Sequence, residues 1–125
     1  MANTLVTIPG KTQISDSRYE LSIDTAALVT VSETAVVLDQ VQIDNTANST
    51  VVYLKIYDND TSSSATLGST NPPYILPCPA SSTTQYTFEP GQTLSTGLQC
   101  AIVTNAGTGG TSAPSSAVTA LIFGH

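Results

Sequence analysis

The sequence predicts an all-β protein: a β-sandwich or jelly-roll-like domain of about seven or eight strands, with an extended N-terminal arm. Three observations carry this expectation. Short runs rich in Val, Ile, Leu, Thr and Tyr recur roughly every ten residues. Clusters of Gly, Pro, Asn and Ser separate them, and no window joins a helical apolar period to an N-cap and a glycine stop. Only the stretch from Thr25 to Ser32 competes as a helix.

Residues 1–34 alternate short apolar pieces, Leu5 to Ile8 and Tyr19 to Ile23, with breaks at Pro9, Gly10 and Asp16 to Arg18, and read as an arm or edge strands. Residues 35–125 read as the sandwich proper, within a single domain. The stretch "VQIDNTANSTVVYLKIYDND" from Val41 to Asp60 looks like a hairpin. Val41 and Ile43 alternate with polar neighbours, Asn45 to Ser49 offer turn residues, and Val52, Leu54 and Ile56 alternate with Tyr53, Lys55 and Tyr57. Asn59 to Asn71 reads as a surface loop. "PPYILPCPA" cannot be a central strand, because its four prolines each remove a ladder donor; it is an edge strand or an extended crossing. Gln85 to Phe88 reads as a short strand, Glu89-Pro90-Gly91 as a turn and Leu98 to Val103 as an apolar strand. Gly107 to Ser116 is flexible by composition, and a last strand covers Ala117 to Phe123.

The chain has 125 residues, a hydrophobic fraction of 40% and a charged fraction of 10%. A core of this size suits one domain, and the charged fraction falls well below the ~25% of ordinary soluble domains. Ser, Thr, Asn and Gln make up the polarity, so the surface is wet but poorly equipped to repel another protein electrostatically. Three basic against nine acidic residues give a net charge of −6, which disfavours direct binding to nucleic acid and to anionic membranes. No apolar run approaches a spanning helix, and the start of the chain lacks the pattern of a secretory signal, so the expectation is synthesis in the cytosol. Cys78 and Cys100 permit one disulfide, but a reducing compartment favours two buried thiols.

Reactive chemistry is sparse. The single histidine, His125, is the last residue in the sequence and reads as a frayed terminus instead of a base or metal ligand. Asp58, Asp60 and Ser62 have the spacing of a calcium loop's first ligands, yet Ser63 and Ser69 stand where glycine and a bidentate Glu are needed. Asp39, Asp44 and Glu89 are the acids a glycosidase would have to pair across a cleft. Gly107, Gly109 and Gly110 precede no lysine and no helix, so they make no phosphate cradle. Asn48-Ser49-Thr50 and Asn59-Asp60-Thr61 match glycan sequons that a chain rich in these residues contains by chance. The expectation is a protein that is not an enzyme and uses no cofactor or metal. Tyrosine is more informative, since it combines apolar area with a hydroxyl that tolerates water. Tyr53 and Tyr57, with Lys55 between them, would form a contact face opposite Val52, Leu54 and Ile56, and Leu5, Ile8 and Tyr74 are further candidates.

Several pieces, in order, resemble small all-β virion proteins of tailed bacteriophages, a group that includes head decoration or cement proteins. They are Ile43 to Asn45 with Val52 to Asp58, then Gly68-Ser69-Thr70-Asn71-Pro72, Ile75-Leu76-Pro77-Cys78-Pro79, Phe88 to Gly91 and Leu94-Ser95-Thr96-Gly97-Leu98. The likeness spans residues 36 to 103. It implies a structural virion protein, assembled in the host cytoplasm as a symmetric homo-oligomer such as a trimer and bound to the major capsid protein or another virion protein. The alternative is a carbohydrate- or host-surface-binding module such as a tail or fibre component.

Overall fold

The computed structural model describes residues 17–125. They form eight strands: β1 (Ser17–Ile23), β2 (Val29–Ser32), β3 (Val36–Asp44), β4 (Val52–Tyr57), β5 (Tyr74–Cys78), β6 (Thr83–Leu94), β7 (Leu98–Val103) and β8 (Val118–Gly124). One four-stranded sheet has the order β1-β8-β3-β6 and the other β2-β7-β4-β5. All pairings are antiparallel. The pairs β1·β8, β2·β7, β3·β6 and β4·β5 are the rungs of one long antiparallel ribbon, and the added β3·β8 and β4·β7 pairings show that ribbon rolled upon itself. That is a jelly roll, which packs two sheets over one core.

Alternation explains the core. Successive strand residues point to opposite faces, so Leu38, Val41 and Ile43 of β3 and Val118, Ala120 and Ile122 of β8 meet Val52, Leu54 and Ile56 of β4 and Leu98, Cys100 and Ile102 of β7. Fully burying each larger aliphatic side chain contributes roughly 1.5–3 kcal/mol. Tyr19, Leu21, Tyr74, Tyr86 and Phe88 seal the margins. Tyr74 meets Phe88 edge to face with ring centroids 6.1 Å apart, and the Tyr86 hydroxyl donates to the Pro77 carbonyl, so β5 and β6 close one side of the sandwich.

The expected hairpin from Val41 to Asp60 is not one. Its two strands lie in opposite sheets, because Val41 and Ile43 must face Val52, Leu54 and Ile56 across the core instead of sharing a ladder with them. The linking residues form an arch held from inside. Buried Asn45 donates from Nδ2 to the carbonyls of Thr50 at 2.9 Å, Cys78 at 3.2 Å and Pro79 at 3.1 Å. Buried Asn48 donates to Asn45 Oδ1 at 2.9 Å and to the Ser116 carbonyl at 3.0 Å, while its own Oδ1 accepts from Ser116 N. These amides tie the arch to the connections before β6 and β8.

Strand β6 is also longer than expected. Glu89-Pro90-Gly91 does not end it but forms part of a bulge opposite Asp39, after which the ladder resumes at Gln92 against Leu38. Gly91 has φ 129°, a backbone state that a side chain would strain. At the N-terminal side, β1 and β2 occupy the edges next to β8 and β7, and the Thr25 to Ser32 window supplies β2 instead of a helix. The proline-rich segment supplies β5 at an edge, with Pro77 opposite Tyr53.

Candidate contact faces

Each sheet has an outer side, and the two differ. On the β2-β7-β4-β5 sheet the outward positions of β4 and β7 are Tyr53, Lys55 and Tyr57, and Gln99, Ala101 and Val103, by the register of the two strands. Lys55, Tyr57, Ala101 and Val103 are nonetheless 0% exposed and Gln99 2%. Two connections cover them. In residues 58–73, Ala65 N donates to Gln99 Oε1 at 2.9 Å, and in residues 104–117, Lys55 Nζ donates to the carbonyls of Gly107 at 2.6 Å and Gly110 at 3.1 Å. Thr108 and Asn71 join the two connections by a side-chain bond of 2.7 Å.

The expected contact residues therefore part company. Tyr53 is half-buried at the margin of this layer, whereas Lys55 and Tyr57 are interior, because the loops supply a third layer that no pattern within β4 signals. Burial lowers the Lys55 ammonium pKa from its ordinary value and raises that of the Tyr57 phenol. The Tyr57 hydroxyl has no hydrogen-bond partner among the described residues. Tyr74 is half-buried and turned to the core against Phe88. Leu5 and Ile8 lie outside the described residues.

The glycine-rich stretch before β8 is a second correction to the sequence reading. It is pinned, with Gly110 N donating to Gly107 O, Gly107 N to Asn105 Oδ1, and Thr104 N to Ser112 O. Its carbonyls receive a cation from below, the reverse of a phosphate cradle.

The acidic candidates are engaged with protein donors. Asp58 accepts from the amides of Ser95, Thr96 and Gly97 at 3.1, 2.8 and 3.3 Å. Desolvation pushes the Asp58 pKa up, but these backbone donors outweigh it and the net shift is downward. Gly97 is needed there, since a Cβ would stand 2.6 Å from the Ser32 carbonyl oxygen. Asp60 accepts from Ser62 and Ser63, and Asp44 from Thr46, and these bonds lower both carboxyl pKa values. No group of three His, Cys, Asp or Glu among the described residues is placed to hold a metal ion. Asp39 and Asp44 are five positions apart on β3, roughly 16 Å along the strand, beyond the ~5–10 Å a glycosidase pair requires. Glu89 sits exposed in the β6 bulge.

His125 is not frayed. Its backbone exchanges bonds with Val37 at 2.8 and 3.0 Å, and its Nδ1 lies 2.9 Å from Asp39 Oδ2. Asn48, the first sequon, is buried with its amide fully used, so it offers no glycan acceptor in the folded chain. Cys78 and Cys100 are both free and buried, on β5 and β7 with β4 between them.

The outer side of the β1-β8-β3-β6 sheet is different in kind. Its register sets out three rows: Arg18, Phe123, Gln40, Thr87; Glu20, Leu121, Gln42, Gln85; and Ser22, Thr119, Asp44, Thr83. Among the described residues no connection is bonded across it. Glu20, Asp44, Thr83, Gln85 and Thr87 are exposed, while Leu121 and Phe123 are half-buried. Sequence reasoning missed this face, although the run Val118 to Phe123 is apolar on both alternating sets, with Leu121 and Phe123 opposite Val118, Ala120 and Ile122. Comparison with known protein families, with curated proteins and with solved structures returns no match to this chain.

Proposed function

We propose that the chain is a structural protein of a tailed-phage particle, a decoration or cement protein that stabilises the head by burying folded faces against other subunits, without catalysis or cofactor. The observation that carries this reading is the unequal treatment of the two sheets. One outer side is covered over β4 and β7 by the chain's own loops, with Ile75 of β5 left exposed beside them, and the other leaves Leu121 and Phe123 half-buried among Gln, Thr and Ser, with Arg18, Glu20 and Asp44 at its margins. A face of Thr and Gln around a small apolar centre has the composition of a contact surface whose core avoids charge. Two further points support the reading. The ordered resemblance over residues 36 to 103 points to virion proteins of tailed phages, and the jelly roll is a fold used by viral capsid and lectin domains alike, an argument by fold analogy only. Partners on this reading are sister subunits in a homo-oligomer and the major capsid protein, and the location is the virion.

The test is co-sedimentation of the purified protein with isolated phage heads lacking it, together with the temperature at which those heads release DNA. Saturable binding and a higher release temperature are expected. Failure to bind heads, combined with specific binding on a glycan array, would transfer the protein to the carbohydrate-binding class that shares the fold.

A further inference from the structure

We propose that the first half of β6, residues 83–88, is an open sheet edge that takes an extended segment of another protein as an added strand, with a basic residue of that segment set beside Glu89. The inference goes beyond the cement reading above, since it names a site and the chemistry of its partner and does not depend on where the protein works.

The four sheet edges are not alike. The edge at β1 carries Arg18 and Glu20, that at β2 is only four residues long, and in β5 Pro77 removes a donor, with Pro73 and Pro79 at its flanks. Charge, shortness and proline each keep a neighbouring strand from pairing. The second half of β6 is guarded likewise, by Pro90 and the bulge. Residues 83–88, Thr-Thr-Gln-Tyr-Thr-Phe, have none of these. Their composition favours a strand, and their ladder runs unbroken from Thr87 opposite Gln40 to Thr83 opposite Asp44. An antiparallel ladder uses alternate residues, so the others turn N–H and C=O away from β3. Among the described residues no backbone bond outside the ladders reaches residues 83–88.

The register states what fits. A strand laid against β6 sets its side chains alternately beside half-buried Thr84, Tyr86 and Phe88 and beside exposed Gln85 and Thr87. The first set lies where β5 and β6 close the core, with Tyr74 against Phe88, so apolar residues suit it; the second faces water and suits Thr or Gln. Charge then selects the partner. Glu89 is exposed at the end of this edge and makes no ion pair among the described residues, so a cation is favoured there. A second copy supplies none from its described residues, because Lys55 is buried and Arg18 is bonded to Glu20. Paired antiparallel through the same edge, it would also carry its Glu89 toward the Thr83 end, where Asp44 stands. The occupant is therefore a segment of a different protein, about six residues long, apolar at alternate positions and carrying Lys or Arg at the end beside Glu89.

Amide hydrogen exchange of the full chain, with the acetylated and amidated peptide Lys-Val-Thr-Val-Thr-Val as the probe, tests this. In antiparallel register the peptide's Lys meets Glu89 and its Val side chains meet Phe88, Tyr86 and Thr84. Without peptide, the outward amides of residues 83–88 should exchange freely while their alternates are protected by β3; peptide should slow the outward set by at least about tenfold. The same peptide N-methylated on the amides that face β6 should bind about a hundredfold more weakly, since its backbone donors are gone. Glu89→Lys should weaken the peptide about two- to fivefold, with an unchanged circular dichroism spectrum, and Glu in place of the peptide's Lys should recover that loss. Full protection of residues 83–88 in the peptide-free chain, no slowing at about 1 mM peptide, or N-methylation without effect overturns the proposal. Head binding alongside such a failure leaves the cement reading standing, whereas strand pairing by a protein with no affinity for heads removes that reading and keeps this one.

Discussion

Lys55 offers the sharpest quantitative test, because an ammonium buried beneath a loop and bonded to backbone carbonyls pulls stability in two directions. Its two bonds, to Gly107 O and Gly110 O, are each worth about 1.5–3 kcal/mol as hydrogen bonds from a charged donor. Against them stands the desolvation of the charge, which costs several kcal/mol and accounts for the lowered pKa of Lys55. The two nearly cancel, so Lys55→Met, which keeps the buried stem, should change the unfolding free energy by no more than about 1 kcal/mol. Lys55→Ala also deletes about three buried methylenes at ~0.8 kcal/mol each, so it should cost about 2–4 kcal/mol, or roughly 8–15 °C in Tm for a chain of this size. Urea titration followed by circular dichroism measures both. Hydrogen exchange should also find the 107–110 amides faster in the Met variant, since the staple is gone while the core remains. The pH dependence has a definite sign. With a folded pKa below the ordinary 10.5, the unfolded chain holds more protons in that window, so wild-type stability gains relative to Lys55→Met as pH rises from the folded value toward 10.5. If Lys55→Met loses as much stability as Lys55→Ala, the cancellation is wrong and the carbonyl bonds dominate.

Three other outcomes follow from the same interior. Tyr57→Phe removes a buried hydroxyl without a partner among the described residues, so chemical denaturation should show it neutral or up to about 2 kcal/mol more stable, whereas Tyr57→Ala should lose about 3–5 kcal/mol. Asp58→Asn weakens the acceptor for three amides and should cost about 1–2 kcal/mol at neutral pH. Because the Asp58 pKa is lowered in the fold, that contribution is present above 3.8 and fades as pH falls through the folded value, so acid titrations of wild type and variant should converge there. Burial pushes the Cys100 thiol up to about 12, so a thiol reagent at neutral pH should label it only after denaturant is added, and intact mass should count two free thiols.

The strands were largely legible because each carries its own alternation; what joins them was not. Val36 to Asp44 and Val52 to Tyr57 both read as strands, and both are, but a turn-rich linker between two alternating runs describes a hairpin and an arch between sheets equally well. What distinguishes them is the fate of Asn45 and Asn48, whose amides reach Cys78, Pro79 and Ser116, contacts that depend on segments more than thirty residues away. The Glu89-Pro90-Gly91 bulge was misread for a related reason. Its residues are those of a turn, and only the length of β3 opposite them keeps the ladder going.

Lys55 and Tyr57 were misread as outward-facing by the same local logic, and that failure has a physical content. On β4 the Tyr-Lys-Tyr set looks amphipathic because each side chain has a polar tip, yet a polar tip is equally what a residue needs beneath a loop, where it must satisfy carbonyls away from water. Lys55 does so at Gly107 and Gly110, and Gln99 does so at Ala65. On β8 the outward set is Thr119, Leu121 and Phe123, and two of these have no polar tip with which to satisfy anything above them. A strand apolar on both alternating sets is built to be covered on both sides. Its inner side is covered by β7 and β4 across the core, and no connection among the described residues is bonded over its outer side. Lys55 and Gln99 thus show polar tips on an outward strand face serving a surface that the chain covers with its own backbone, whereas Leu121 and Phe123 stay half-buried among the Gln and Thr rows of their sheet.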